Sequence, residues 1–168
     1  MSDLLTNAPS IADRVMDAFL ARLEERMHGS GYYFDMRGRI FDVFRPPSEI
    51  DLPSLSVTML PEEIISRHSR GDEGGKHMRL PLLMEFFDSW SEGLSSRSDR
   101  VLLARRARAE MKRAAPGGLW IAEPDPGFQV YFAVASSNVL VGAADDQVYA
   151  EVLVHAEYDE NEVDPFEN

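Results

Sequence analysis

This chain of 168 residues predicts an α+β domain, a mostly antiparallel sheet packed against two main helices. Apolar residues recur with helical period over residues 11–27 and again over 98–115. The runs between and after those stretches alternate with the two-residue period of strands. The links between strands are short, as antiparallel neighbours permit. With 44% hydrophobic residues the chain can bury one substantial core, so a single domain over 1–158 followed by an acidic tail over 159–168 is the expected division.

The first helix is announced by Ser10 with Asp13 three residues on, the spacing of a capping box. Ile11, Val15, Phe19, Leu23 and Met27 then repeat every four residues, while Asp13, Asp17, Glu24 and Glu25 mark the wet side. Two aromatic-rich runs between Tyr32 and Arg45 flank Asp35-Met36-Arg37-Gly38, which reads as a hairpin turn with a strand after it at Ile40 to Phe44. Pro46 and Pro47 stop that strand, and Leu55, Val57 and Met59 alternate in the next.

Residues 61–76 are polar and contain Gly71, Gly74 and Gly75, so a long mobile loop is expected there. Met78, Leu80, Leu82, Met84 and Phe86 then define a long strand in which Pro81 implies an edge position or a bulge. The second helix presents Leu103, Ala107, Met111 and Ala114 on one side and Arg105, Arg106, Arg108, Lys112 and Arg113 on the other. Pro116-Gly117-Gly118 ends it. Four further strands are expected at 119–122, 128–135, 139–142 and 147–158.

Charge is unevenly placed. From Ala114 to Asn168 there is no lysine or arginine but eleven carboxylates, so nearly all of the formal net charge of −12 lies in the C-terminal third. Some of those acids are threaded between Val148, Val152 and Val154 and so belong to a sheet face, which repels phosphate and attracts basic surfaces. The concentrated positive feature is the second helix, where seven cations lie between Ser95 and Ala115 against only Asp99 and Glu110. Nucleic acid fits such a patch poorly, since no aromatic residues interleave it and the molecule is strongly acidic. Complementary surfaces of neighbouring copies fit it better, and head-to-tail contacts of that kind close into rings when the rotation permits.

Catalytic and metal signatures are missing from the sequence. There is no cysteine, hence no disulfide framework or thiolate site. His28, His68, His77 and His155 are far apart and match no helical ligand spacing. The acids at Glu62/Glu63, Asp145/Asp146 and Glu157/Asp159/Glu160 lack the alternation and central glycine of a calcium loop, and read as solvated turn and tail charges. The glycine-rich stretch 71–75 contains Asp72 and Glu73, the wrong charge for a phosphate cradle. No cofactor is implied. The uncharged run 127–144 is broken by polar residues and alternates like strands, so no membrane span is expected, and residues 1–10 lack the basic start and apolar core of a secretory signal.

Several segments together resemble long-tailed phage tail terminator proteins, the minor tail protein U-like family. They are Gly31-Tyr32, Gly38-Arg39-Ile40-Phe41, Val43-Phe44-Arg45, Asp51-Leu52-Pro53-Ser54-Leu55-Ser56-Val57 and Pro61-Glu62-Glu63. The helix over 11–27, the strand over 78–87, the helix over 101–114 and a last strand running into Tyr158 and then Asp164-Pro165-Phe166 follow the same order. The chain departs from the family's pattern at Arg45-Pro46-Pro47, where a glycine step is expected, and in the longer polar stretch 62–76. The resemblance implies a non-enzymatic virion protein, made in the host cytoplasm and placed at the head-proximal end of the tail. It would form a homo-hexameric ring that caps the tail tube, stops its growth and offers a docking face to the head-side connector or neck protein, while DNA passes through unbound. Arg105, Arg108, Lys112, Asp51, Leu52, Glu151, Glu157 and Phe166 are then the candidate subunit or partner contacts. Three alternatives stand beside this reading. One is a neck or head-completion protein of the same architecture, and another a monomeric module that recruits a basic partner. The third, from another class, is a small metal-dependent hydrolase or nuclease using Asp145 or Glu157.

Overall fold

A computed structural model describes residues 10–28, 31–45, 51–70, 73–89, 97–115, 117–121, 129–141 and 147–161. Two helices, α1 (Ile11–Arg26) and α2 (Arg97–Ala114), cover one face of a seven-stranded sheet. Its strands are β1 (Ile40–Phe41), β2 (Ser54–Met59), β3 (Glu63–Arg70), β4 (Glu73–Ser89), β5 (Gly118–Ile121), β6 (Gln129–Val141) and β7 (Gln147–Asn161). The order across the sheet is β1-β2-β4-β7-β6-β5, with β3 also on β4, and every pairing except β1 with β2 is antiparallel. The α+β class read from the sequence is therefore the class of the fold.

The capping box forms as the spacing requires. Ser10 Oγ accepts the Asp13 N–H at 3.2 Å and Asp13 Oδ2 accepts the Ser10 N–H at 3.2 Å, so two otherwise unsatisfied donors at the start of α1 are paired. Ile11, Val15, Met16, Phe19 and Leu23 are buried against the sheet. Phe19 stacks on Phe132 of β6, with ring centroids 5.5 Å apart. Burying a phenyl ring contributes roughly 2–3 kcal/mol, so this row of side chains holds a helix that would be marginal alone.

The segment after α1 differs from expectation. The hairpin expected between Tyr32 and Arg45 is replaced by a plug and a two-residue strand, Ile40–Phe41, that runs parallel to β2. Phe34 and Met36 are buried in the core, Met36 N–H bonds the carbonyl of Met27 at 2.9 Å, and Gly38 adopts a left-handed φ of +66°. The Glu110 carboxylate of α2 accepts the N–H groups of Tyr33 and Phe34 at 2.7 and 3.2 Å. A side chain thus takes the donors that a partner strand would have used, and no hairpin is needed.

The expected loop over 61–76 is a β-hairpin made of β3 and the start of β4. No described residue of β3, and none of β4 before Met78, joins the core cluster. The described side chains of this arm before Met78 are exposed or half-buried on both faces, so it has no apolar alternation to reveal it in sequence. Pro81 is likewise neither on an edge nor at a bulge in β4. It pairs opposite His155 at the point where the other neighbour of β4 changes from β3, ending at Arg79, to β2, beginning at Leu82. Its missing N–H falls at that junction, while its carbonyl accepts the Leu60 N–H at 2.9 Å.

The two strands expected at 128–135 and 139–142 are one strand, β6, irregular between Val134 and Ser136. Ser136, Ser137 and Asn138 resemble turn residues but lie in the extended strand. β7 runs through Asn161, so Asp159 and Glu160 sit on a strand, past the boundary expected at 158.

Candidate interaction surfaces

The cations of α2 divide by the geometry of the helix. Leu103, Ala104, Ala107, Met111 and Ala114 face the core. Arg106 lies over the Tyr33 ring, 4.4 Å from its centroid, and 3.8 Å from Glu110. Arg113 lies 3.9 Å from the Tyr32 centroid and donates to the Gly31 carbonyl. Both therefore clamp the plug onto the helix, with Arg-aromatic contacts each contributing about 0.5–1 kcal/mol at exposed sites. Arg105, Arg108 and Lys112, the candidates read from sequence, point away from the core beside Leu102, which is 67% exposed. None of the three forms an ion pair with a described carboxylate.

The opposite face of the sheet carries no helix among the described residues, and the register places its side chains in rows across β4 and β7: His77 with Asp159, Arg79 with Glu157, Leu83 with Leu153, Glu85 with Glu151, and Phe87 with Tyr149. His77 Nδ1 is 2.9 Å from Asp159 and its Nε2 is 3.5 Å from Glu157. Arg79 donates to Glu157 Oε1 from Nε at 3.0 Å and Nη2 at 2.7 Å, and its Nη1 is 3.8 Å from Glu63. The guanidinium beside Glu157 holds that carboxyl below its ordinary range. Of the candidate acids, Glu157 is consequently already partnered within the chain.

Glu151 has a different neighbourhood. The Tyr149 hydroxyl lies 2.8 Å from Glu151 Oε2 and 3.1 Å from Glu85 Oε1. One hydroxyl proton cannot serve two carboxylates at once. Burial, reinforced by the Glu151 charge, pushes the Glu85 carboxyl up, and burial with the two carboxylates pushes the Tyr149 phenol up. A second tyrosine repeats the theme on the helix side of the arm, where Tyr158 donates to Glu62. Burial and the Glu62 charge push Glu160 up, opposed by Lys76.

Asp51 is exposed, and Leu52 is half-buried with its carbonyl accepting from Arg39 Nη1 at 2.6 Å. Arg39 thus fixes the Asp51-Leu52-Pro53 turn, whose Leu52–Pro53 peptide is cis. Phe166, Asp145 and Asp146 lie outside the described residues. The structure brings the three cations of α2 onto one flank and places Glu151 and Glu157 on the far face of the sheet, with Asp51 and Leu52 in the turn that leads into β2. Sequence reasoning missed Glu110, Glu85, Tyr149 and the Glu62–Tyr158 contact. Glu85 and Tyr149 carry a weak signal, being out of phase with the buried residues of their strands, but their meeting depends on register.

Among the described residues no group of three or more His, Asp or Glu side chains converges as a metal site. A shallow cleft between the end of α1 and the 37–38 turn is lined by Glu24, Glu25, His28 and Arg37. No helix among the described residues is long and apolar enough to cross a membrane.

No family model matches the chain, and no curated protein matches it. Among solved structures, a chain of the virion of a native gene transfer agent (GTA) particle is similar over 94% of this chain and 99% of that one, at 14% identity and a TM-score of 0.38.

Proposed function

We propose that this chain is a virion structural protein of a long-tailed phage, a tail terminator whose copies close into a ring on the finished end of the tail tube. The ring stops tube growth and presents a face to the head-side connector, and six copies are what the resemblance in the order of segments implies. The observation that carries the reading is the separation of charge. Arg105, Arg108 and Lys112 of α2, which pair with no described carboxylate, and the acids Glu85 and Glu151 on the sheet face that no described helix covers, lie on opposite sides of one layer. Two unlike surfaces that point apart cannot satisfy each other within one molecule, but they can across successive copies, and repeated head-to-tail contacts generate rings. An acid-rich wall also suits a channel for DNA, because the arginine in its β4–β7 rows, Arg79, is already bonded to Glu157 and is not offered to phosphate, which lets the duplex slide.

Negative-stain imaging of the protein alone and with purified tail tubes tests this. The expected result is rings, alone or on one tube end. Protein that stays monomeric and leaves tube ends bare would remove the reading. Binding to filled heads instead of tubes would move it to a neck or head-completion role.

A further inference from the structure

On the sheet face that no described helix covers, three rows follow one another along β4 and β7. Leu83 and Leu153 stand opposite each other and are half-buried, Glu85 and Glu151 form the next row, and Phe87 and Tyr149 form the third, with ring centroids 5.0 Å apart. Two residues of strand advance about 7 Å, so the acids lie about 7 Å and the rings about 14 Å beyond the leucines. The acid row ends in uncharged residues on both sides, Ser56 of β2 opposite Glu85 and Asn138 of β6 opposite Glu151. Arg45 runs beside it, with its N–H 3.4 Å from Ser56 Oγ, but its guanidinium lies over the Phe41 ring, 4.7 Å from the centroid. Arg79 is three rows away and bonded to Glu157. Burial, Tyr149 and Glu151 set the position of the Glu85 carboxyl, with no cation among the causes. One hydroxyl proton leaves most of the acceptor capacity of two carboxylates unfilled.

The side of α2 turned away from the core repeats this order. Leu102, 67% exposed, is followed by Arg105, Ala109 and Lys112, all exposed and spaced three and four residues apart, with Arg108 beside them. This stripe lies opposite the buried row Leu103, Ala107, Met111 and Ala114. At about 1.5 Å of rise per residue, Arg105 stands about 4.5 Å, Ala109 about 10.5 Å and Lys112 about 15 Å beyond Leu102. Of the two acids of α2, Glu110 is buried against the plug and Asp99 has a partner within the chain.

We propose that α2 of one copy lies along β4 and β7 of the next, with Leu102 seated between Leu83 and Leu153, Arg105 and Arg108 reaching Glu85 and Glu151, and Lys112 over the rings of Phe87 and Tyr149. The small side chain of Ala109 lets the helix approach the sheet, and a cation over an aromatic face is attracted by its quadrupole. The two surfaces lie on opposite sides of one layer, so the contact is heterologous and repeats from copy to copy. His77, Arg79, Glu157 and Asp159 stay outside it, at the end of the face left for a channel wall. This rests on the self-assembly reading above and specifies which rows meet.

The chain has no cysteine, so an introduced pair reports proximity without background. Leu102→Cys with Leu153→Cys, oxidised at a concentration where light scattering reports assembly, should give a ladder of covalent dimers, trimers and larger species on a non-reducing gel. The two positions lie on opposite sides of one chain, and a disulfide needs Cα atoms within about 7 Å, so they can link only between copies. Leu102→Cys with Leu83→Cys should do the same and replaces the first pair should circular dichroism show that it disturbs folding. Each cysteine alone should leave monomer, and Leu102→Cys with Glu157→Cys, about 14 Å along the strand from position 153, should give no ladder. Arg105→Glu should raise the concentration needed for assembly by at least about tenfold, and Glu151→Lys in the same chain should restore it to within about threefold. Rings in the microscope with no ladder from either leucine pair, a ladder as strong from the Glu157 pair, cross-linking by Leu102→Cys alone, or no recovery with Glu151→Lys would each overturn this contact while leaving the ring reading intact. A wild-type chain that is monomeric at every concentration removes both.

Discussion

Glu85 on β4 and Glu151 on β7 stand directly opposite each other on the uncovered face of the sheet, bridged by the single hydroxyl of Tyr149. Opposed like charges oppose strand pairing, and the fold retains them in a partly buried place. Neither Arg79 nor His77 reaches this pair; their partners are Glu63, Glu157 and Asp159.

Glu85→Gln should stabilise the protein at pH 7. Burial raises the Glu85 carboxyl above its ordinary 4.5, so its protonated form is favoured in the fold, and its contribution is fully present below 4.5 and lost as pH rises through the raised value. The amide removes that loss. Directly opposed like charges cost at most about 1 kcal/mol, less with solvent screening, so the melting temperature should rise by a few degrees at pH 7 and hardly change at pH 3. An unchanged melting temperature at pH 7 contradicts the account.

Glu110→Ala should destabilise by about 2–3 kcal/mol, because two N–H groups lose a charged acceptor. Glu110→Gln keeps one acceptor and should lose about half as much. Urea denaturation measures both, and faster amide exchange confined to Tyr33 and Phe34 distinguishes loss of the clamp from general loosening.

The Arg79–Glu157 contact has the opposite pH sign. Its carboxyl is held below 4.5, so the stability it provides is present above that value and lost as pH falls through the lower folded value. Arg79→Ala should therefore be less stable than wild type by about 1 kcal/mol at pH 7, since the pair is partly exposed, and the gap should close as acidification below 4.5 protonates Glu157 in the folded protein. A gap that persists there points to lost packing of the arginine stem instead.

Reversing the α2 flank, as Arg105→Glu, Arg108→Glu and Lys112→Glu together, should abolish assembly while leaving the melting temperature of the monomer within a few degrees, because these side chains lie off the core. Raising salt should weaken wild-type assembly in the same direction, since exposed charge pairs are screened. Arg106→Glu is the contrast, since it faces Tyr33 and Glu110 and should lower monomer stability. An oligomer mass unaffected by the triple reversal would remove the flank from the interface.

Patterned burial made much of the fold legible. The period of Ile11, Val15, Phe19 and Leu23, the capping pair Ser10 and Asp13, and the alternation of Met78 to Phe86 and Val148 to Tyr158 each report a surface that must leave water, and all appear as read. The arm was illegible for the complementary reason. Its described side chains before Met78 are not buried, so Gly74, Gly75 and the polar residues around them look like a loop, and backbone pairing of β4 with β3 on one side and the end of β7 on the other makes them strands. In sequence β6 looks like two strands because Ser136 to Asn138 are turn residues by composition, though β7 keeps them extended.

The sequence by itself determined the buried rows of the two helices and the long strands, the two-helix α+β class, and the grouping of cations on one helix, because these follow from periods of 3.6 and 2 and from local capping. Only the tertiary structure decided partners. Register set Glu85 against Glu151 and Arg79 against Glu157, and packing carried Glu110 to the backbone of Tyr33 across 77 positions of chain. Contacts between residues far apart in sequence depend on how elements align, and a one-residue slip of β7 on β4 would exchange every pair on both faces.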